Sequence, residues 1–242
     1  MPRKKPVKPP SVAVDSSTSI QRSFPVWDPH LRAAHTLISL LFAGQFLSGQ
    51  FGLGPGWLHL WMGYALLVVL LFRLAWGFAG SQSARFSQFM PSPQQFLAYV
   101  ATLFSRRPGH WPGHNPVGAL STVLLLGLLL AQSLTGLFVE TWGEWRGPLA
   151  ERVSRDTVRW MTDWHDLLRW PLLILVSIHI LAVLAYLLIK RENRITPIFG
   201  SGRIALPEAP TLYFASHHRA AIIWLLSLLI VLGIALLGPI AW

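Results

Sequence analysis

The stretch WHDLLRWPLLILVSIHILAVLAYLLIKREN (164–193) decides the fold. It is long and apolar enough for a membrane helix, yet it carries two histidines, His165 and His179. Their spacing of fourteen residues is close to four helical turns, so both imidazoles leave nearly the same face, about 21 Å apart along the axis. A hydrocarbon core is roughly 30 Å thick, which puts one ring toward each membrane surface. Ionisable groups at such depths turn inward, toward partners. The identity of those partners determines what the chain does.

Composition sets the class. Of 242 residues, 52% are hydrophobic and only 12% charged, about half the charged share of an ordinary soluble domain. The net charge of +10 would suit nucleic acid in a polar chain. In one this apolar, the placement of the charge matters more than its sum, and no nucleic-acid partner is expected. There is no cysteine, which excludes disulfides, thiolate metal sites, iron–sulfur clusters and covalent haem attachment. Residues 1–25 are rich in Lys, Pro and Ser without an apolar run, and read as a disordered basic cytoplasmic tail rather than a cleaved signal.

Five apolar stretches are long enough to cross a membrane: 31–53, 59–78, 116–139, 165–189 and 220–240. Asp28 and Pro29 suit the cap and first position of the first helix, and Arg73 is expected to snorkel to the surface. Residues 92–107 are amphipathic and suit the membrane surface. A short helix is expected around 148–161, and no internal repeat is apparent. Basic residues gather in the tail, between spans two and three (Arg85, Arg106, Arg107), and between spans four and five (Lys190, Arg191, Arg194, Arg203). By the positive-inside rule the N-terminus is cytoplasmic and the C-terminus periplasmic. The expected fold is all-α: an integral membrane bundle of four core helices plus a fifth.

This topology tests the histidines. Span four enters from outside, so His165 is outer and His179 inner. Span two begins outside with His59, and span one enters from the cytoplasm with His35 about two turns in. Two pairs match in depth, His35 with His179 and His59 with His165. Opposed imidazoles at equal depth in an apolar bundle suit bis-histidine haem, the macrocycle packing among aliphatic side chains. The competing reading is a haem-free metal transporter or scaffold. Such sites commonly recruit carboxylates, and the spans hold none deep inside; Asp166, at the edge of span four, is the nearest.

The segments VWDPHLRAAH (26–35), HLWMGYALLVVLLFRLAWGFAGSQSARFSQF (59–89), GHNPVGALSTVLLLGLLLAQSLTGLF (113–138) and the opening stretch continued to Arg203 occur in order. Together they resemble the bacterial cytochrome b561 family, in the branch of nickel–iron hydrogenase cytochrome b subunits. The resemblance covers about 26–203, a dihaem membrane domain, and leaves 204–242 as a linker and additional transmembrane helix. It implies two b-type haems with iron ligands His35 and His179, His59 and His165. Thr36 stands where the family usually has an aromatic residue, and His30 is an extra candidate on another face of the first span. His217 and His218 are expected at the cytoplasmic surface.

The resemblance also implies electron transport across the bacterial inner membrane, between quinone and a c-type cytochrome or hydrogenase-like redox subunit. The chain would act either as an electron-transfer subunit or as a quinone-linked oxidoreductase. His114 and Asn115 suit a quinone carbonyl, although Asn115 also reads as a helix cap with Pro116 in first position. Arg32 and Arg85 on the inner side, and Arg169 on the outer, are candidates to pair with haem propionates.

Overall fold

The computed structural model describes residues 22–102, 115–140, 146–206 and 208–238. In chain order these form β1 (Arg22–Pro25), α1 (Pro29–Phe51), α2 (Gly56–Ala79), the single turn α3 (Phe86–Phe89), α4 (Pro93–Ala101), α5 (Pro116–Gly136), α6 (Arg155–Leu188), β2 (Arg203–Leu206) and α7 (His217–Ala235). Most of the expected basic tail, with His114, Arg106 and Arg107, lies outside the described residues. Arg22–Pro25, read as part of that tail, pairs antiparallel with β2. Two short strands at the foot of the bundle thereby join the entry of α1 to the segment after α6.

The helix ends follow local chemistry. Asp28 Oδ1 accepts from the Leu31 amide at 2.9 Å, and Pro29 follows it at the first helical position. Oδ2 of the same carboxylate accepts from Trp76 Nε1 at 3.1 Å, so one buried group both caps α1 and ties it to α2. Gly52, at φ 62°, closes α1 in a left-handed conformation that costs glycine little. Ser92 and Gln95 form a reciprocal capping box on α4, and the amphipathic helix expected there ends at Ala101. The short helix expected at 148–161 reduces to a turn at Ala150–Arg152; from Arg155, capped by Ser154, the chain runs unbroken into span four. At 34 residues, α6 is about 51 Å long and outreaches a hydrocarbon core.

Four helices, α2, α5, α6 and α7, are long and apolar enough to cross a membrane. The remaining expected span, the first in the chain (α1), has the length at 23 residues but falls short in mean hydropathy. Its Gln45 and Ser48 face His59 on α2, where they hydrogen-bond. A helix that turns polar side chains toward an interior partner loses hydropathy without losing its place in a bundle.

α1 packs on α2, α5 on α6, and α2 also meets α5 and α7. The centre is a layer of Leu66 and Leu70 from α2, Leu126 and Leu129 from α5 and Leu172 from α6, flanked by Ile38, Leu41 and Phe42 of α1. Leu172 stands seven residues from each of His165 and His179, so this layer separates the two histidine depths. α7 packs on the back of α2: Trp224 stacks on Phe72 with centroids 3.9 Å apart and planes 5° apart, and Val231 joins Tyr64, Leu67 and Leu137.

Candidate functional site

Of the four histidines, His59 and His165 are seen most sharply. They face each other across the α1–α2 and α5–α6 pairs with ring centroids 6.4 Å apart and planes 82° apart. His59 Nδ1 lies 2.9 Å from Ser48 Oγ. His165 Nδ1 lies 3.0 Å from the Gln132 carbonyl and 3.3 Å from Thr135 Oγ1. Neither Nε2 has a hydrogen-bond partner among the described residues. A Cβ on Gly49 would come within 3.0 Å of His59 Cε1, and one on Gly136 within 3.0 Å of His165 Cε1. Both rings therefore occupy space that only glycine leaves open.

At the other depth, His35 and His179 lie within electrostatic range of each other, and Arg73 within range of His35. His35 Nδ1 is buried without a hydrogen-bond partner among the described residues, and its ring meets Phe199 edge-on at 5.1 Å. The structure thus brings the rings of His59 and His165 face to face, and puts His35 and His179 near each other on the other side of the leucine layer. His30 points elsewhere: its Nε2 is 2.8 Å from His217 Nδ1, joining the entries of α1 and α7.

The arginines divide. Arg32 donates through Nη2 to the Gly200 carbonyl and Arg169 pairs with Asp166 at 3.6 Å, while Nε of each is buried without a partner among the described residues. Arg85 is engaged: its Nε donates to the Gly80 carbonyl at 2.8 Å and its guanidinium lies over Tyr213. Arg73 corrects the snorkelling expectation. It is 4% exposed, packed against Phe86, with Nη1 buried and unpartnered among the described residues. The hydropathy pattern placed it near the end of span two, but the Phe86 turn and α7 close over that end. A buried guanidinium nitrogen without an acceptor costs several kcal/mol on the scale of about 1–3 for a neutral group and more for a charged one, and it suits a carboxylate supplied by a bound group.

Asn115 caps α5 through Oδ1, 2.7 Å from the Gly118 amide, and its Nδ2 donates to the Tyr186 hydroxyl at 3.1 Å. Tyr186 also hydrogen-bonds the Tyr99 hydroxyl. Burial first, then this hydrogen bond, pushes the Tyr99 phenol above its usual range, so it is a neutral hydroxyl at any physiological pH. The sequence reading found Asn115 but not the two tyrosines, which lie 87 residues apart.

These residues fit a bis-histidine haem. Two metal–nitrogen bonds of about 2.0 Å, plus the ring radii, hold centroids about 6.3 Å apart, against 6.4 Å here. The Nδ1 atoms are engaged by the protein and the Nε2 atoms are not. Unpartnered guanidinium nitrogens lie near each depth for the acidic side chains of the macrocycle. A membrane bundle that holds a pair of facing imidazoles in its interior suits a b-type cytochrome.

The chain belongs to the prokaryotic cytochrome b561 family, whose model matches residues 26–201. It is 24% identical over 214 residues to a protein of Azotobacter chroococcum mcd 1 named as a probable Ni/Fe-hydrogenase B-type cytochrome subunit, with 75% of this chain and 86% of the relative covered. A protein of Rhizobium leguminosarum bv. viciae with the same name is 24% identical over 209 residues, covering 74% and 85%. No solved structure matches. The protein is accordingly a membrane haem b electron-transfer protein, rather than the haem-free transporter or scaffold weighed above.

Proposed function

We propose that this protein carries electrons between the two faces of the bacterial inner membrane through two b-type haems. His59 and His165 are the iron ligands of one, His35 and His179 of the other. The observation that carries the reading is the facing His59–His165 pair, at the separation an intervening iron requires and with both Nε2 atoms uncommitted. When bound, the haem supplies reversible one-electron chemistry at iron. With two imidazoles holding each iron, no coordination position would be left open, so the chain would direct electrons onward rather than to oxygen. The leucine layer keeps water from the space between the two depths, and Arg32, Arg73 and Arg169 offer charge to the propionates. Arg85, which has no buried nitrogen left unpartnered among the described residues and donates to the Gly80 carbonyl, is assigned a structural role instead.

The clustering of basic residues supports an orientation with the N-terminus and the His35 depth on the cytoplasmic side and the His59 depth and the C-terminus toward the periplasm. The names of the relatives support a hydrogenase-like redox subunit as partner; a c-type cytochrome would meet the same face. Quinone is the membrane partner. Tyr186 lies two turns beyond His179, and Tyr99, Tyr186 and Asn115 offer hydroxyl and amide groups for a quinone carbonyl, with His114 preceding Asn115 in the chain.

The test is a pyridine haemochrome assay on the purified protein and on single His→Ala variants at 35, 59, 165 and 179. Two b haems per chain are expected. The 59 and 165 variants should lose one spectroscopic component, and the 35 and 179 variants the other. Absence of haem from folded, haem-supplied protein, or losses that pair differently, would refute the assignment.

A further inference from the structure

Two short segments, QFLSG (45–49) at the end of α1 and QSLTG (132–136) at the end of α5, share the pattern Gln-x-Leu-Ser/Thr-Gly. The pattern is short enough to escape notice in sequence, and an internal repeat was not expected. In the structure the two copies make the same contacts with the next long helix. Gln45 Nε2 donates to the backbone carbonyl of His59 at 2.7 Å, and Gln132 Nε2 to that of His165 at 2.9 Å. Ser48 and Thr135 each place a hydroxyl on the Nδ1 side of the ring, and Gly49 and Gly136 each lie against Cε1. The link from glutamine to histidine spans 14 residues in the first copy and 33 in the second, so the contacts persist while the loop between them does not.

We propose that these segments are two copies of one frame that sets the tautomer, rotation and basicity of His59 and His165 toward the haem iron, and that the His35 depth is built without it. This rests on the haem assignment above and goes beyond it.

The tautomer follows from counting protons. A serine hydroxyl has one to donate, and Ser48 Oγ donates it back along α1, to the Gly44 carbonyl at 2.8 Å or that of Gln45 at 3.2 Å. With Nε2 turned to the iron, a neutral His59 carries its ring hydrogen on Nδ1, and Ser48 Oγ, its own proton given to a carbonyl of α1, accepts it. Thr135 does the same, donating to the Ala131 carbonyl at 2.9 Å or that of Gln132 at 3.0 Å. His165 Nδ1 moreover faces the Gln132 carbonyl, which can only accept. In both rings the lone pair is left on Nε2, the atom turned away from the frame. An acceptor on Nδ1–H makes the opposite nitrogen a stronger donor to metal, which favours ferric over ferrous iron.

The glutamines close the frame from the side. A side-chain donor on the carbonyl of the ligand residue fixes its backbone as well as its ring. Gln132 Oε1 is buried without a partner among the described residues, so the position holds its amide for the donor bond despite an unsatisfied acceptor. The two copies differ in redundancy. Among the described residues, His59 Nδ1 has the Ser48 hydroxyl alone, whereas His165 Nδ1 has both a hydroxyl and a carbonyl. At the other depth His35 Nδ1 has no partner among the described residues.

The experiment is a redox titration of the detergent-purified, haem-loaded protein, with ferric low-spin spectra, for Ser48→Ala, Ser48→Thr and Thr135→Val. Ser48→Ala should shift one of the two midpoint potentials upward and weaken haem retention at that centre by about 10–100-fold, the usual effect of losing such a partner. Ser48→Thr, which restores the hydroxyl, should return both. Thr135→Val should shift the same centre by less, because the Gln132 carbonyl still accepts. The second centre should not move in any variant. Potentials unchanged in a fully loaded Ser48→Ala protein would overturn the frame while leaving the haem assignment standing. A larger effect from Thr135→Val than from Ser48→Ala would overturn the acceptor count, and wild-type protein without haem would overturn both proposals.

Discussion

Replacing Asp28 by alanine tests how α1 is held. One oxygen caps the helix through the Leu31 amide at 2.9 Å, and the other accepts from Trp76 Nε1 at 3.1 Å. Asp28 is 3% exposed and Trp76 wholly buried, so no water replaces either bond. Loss of an N-cap costs about 1 kcal/mol. Leaving the buried indole N–H unpaired costs about 1–3 kcal/mol more. The expected destabilisation is about 2–4 kcal/mol, and Asp28→Asn, with a single acceptor oxygen, should recover part of it. Reversible unfolding in mixed micelles, followed by tryptophan fluorescence and circular dichroism, measures the difference. A cycle combining Asp28→Ala with Trp76→Phe isolates the pair, which should couple by at least about 0.5 kcal/mol, the size beyond which neighbouring residues are no longer additive. Coupling near zero, or an alanine variant within about 0.5 kcal/mol of wild type, would refute the claim that this carboxylate joins the two helices. His35 stands seven residues downstream, so the same variant should also weaken haem retention at that depth before the other.

Three further outcomes are expected. Gly136→Ala and Gly49→Ala each put a Cβ 3.0 Å from a histidine ring and should reduce haem content by up to one per chain, measured by haemochrome, with helix content by circular dichroism unchanged. Arg73→Met removes a buried cation near His35 and should lower one midpoint potential by some tens of millivolts, the effect of a unit charge at about 10 Å in an effective dielectric of about 20; an unmoved or raised potential would rule out its pairing with the bound group. The 82° angle between the His59 and His165 planes should appear in frozen oxidised protein as a highly anisotropic low-spin ferric resonance, and a rhombic signal from that centre would contradict the perpendicular arrangement.

The meeting of His59 and His165 is legible from sequence because it depends on two local quantities, the rise of a helix and the alternation of spans. Contacts between distant segments were not. The His30–His217 bond joins residues 187 apart, and Asp28 was read as a cap alone because nothing local announces Trp76 as its second partner. Arg73 was misplaced for a related reason: a charge near the end of an apolar run normally reaches water, but here Phe86 folds over it. The outer part of α6 reads as a separate short helix because its Asp, Arg and Trp residues interrupt the apolar run that follows. Tertiary placement allows that helix to continue above the hydrocarbon layer. The twin frame stayed hidden because four of its five positions are ordinary in any membrane helix, and its meaning lies in what each side chain touches.

α6 alone supplies a histidine at both depths, while α1 and α2 supply one each. During synthesis, therefore, the first hairpin emerges with half of each iron site and must wait, through the insertion of α5 and the loop beyond it, for the single helix that completes both. On the proposed pairing neither centre can be filled before the other becomes fillable. The two haems are then acquired at one stage of assembly, and a chain interrupted before α6 would hold neither.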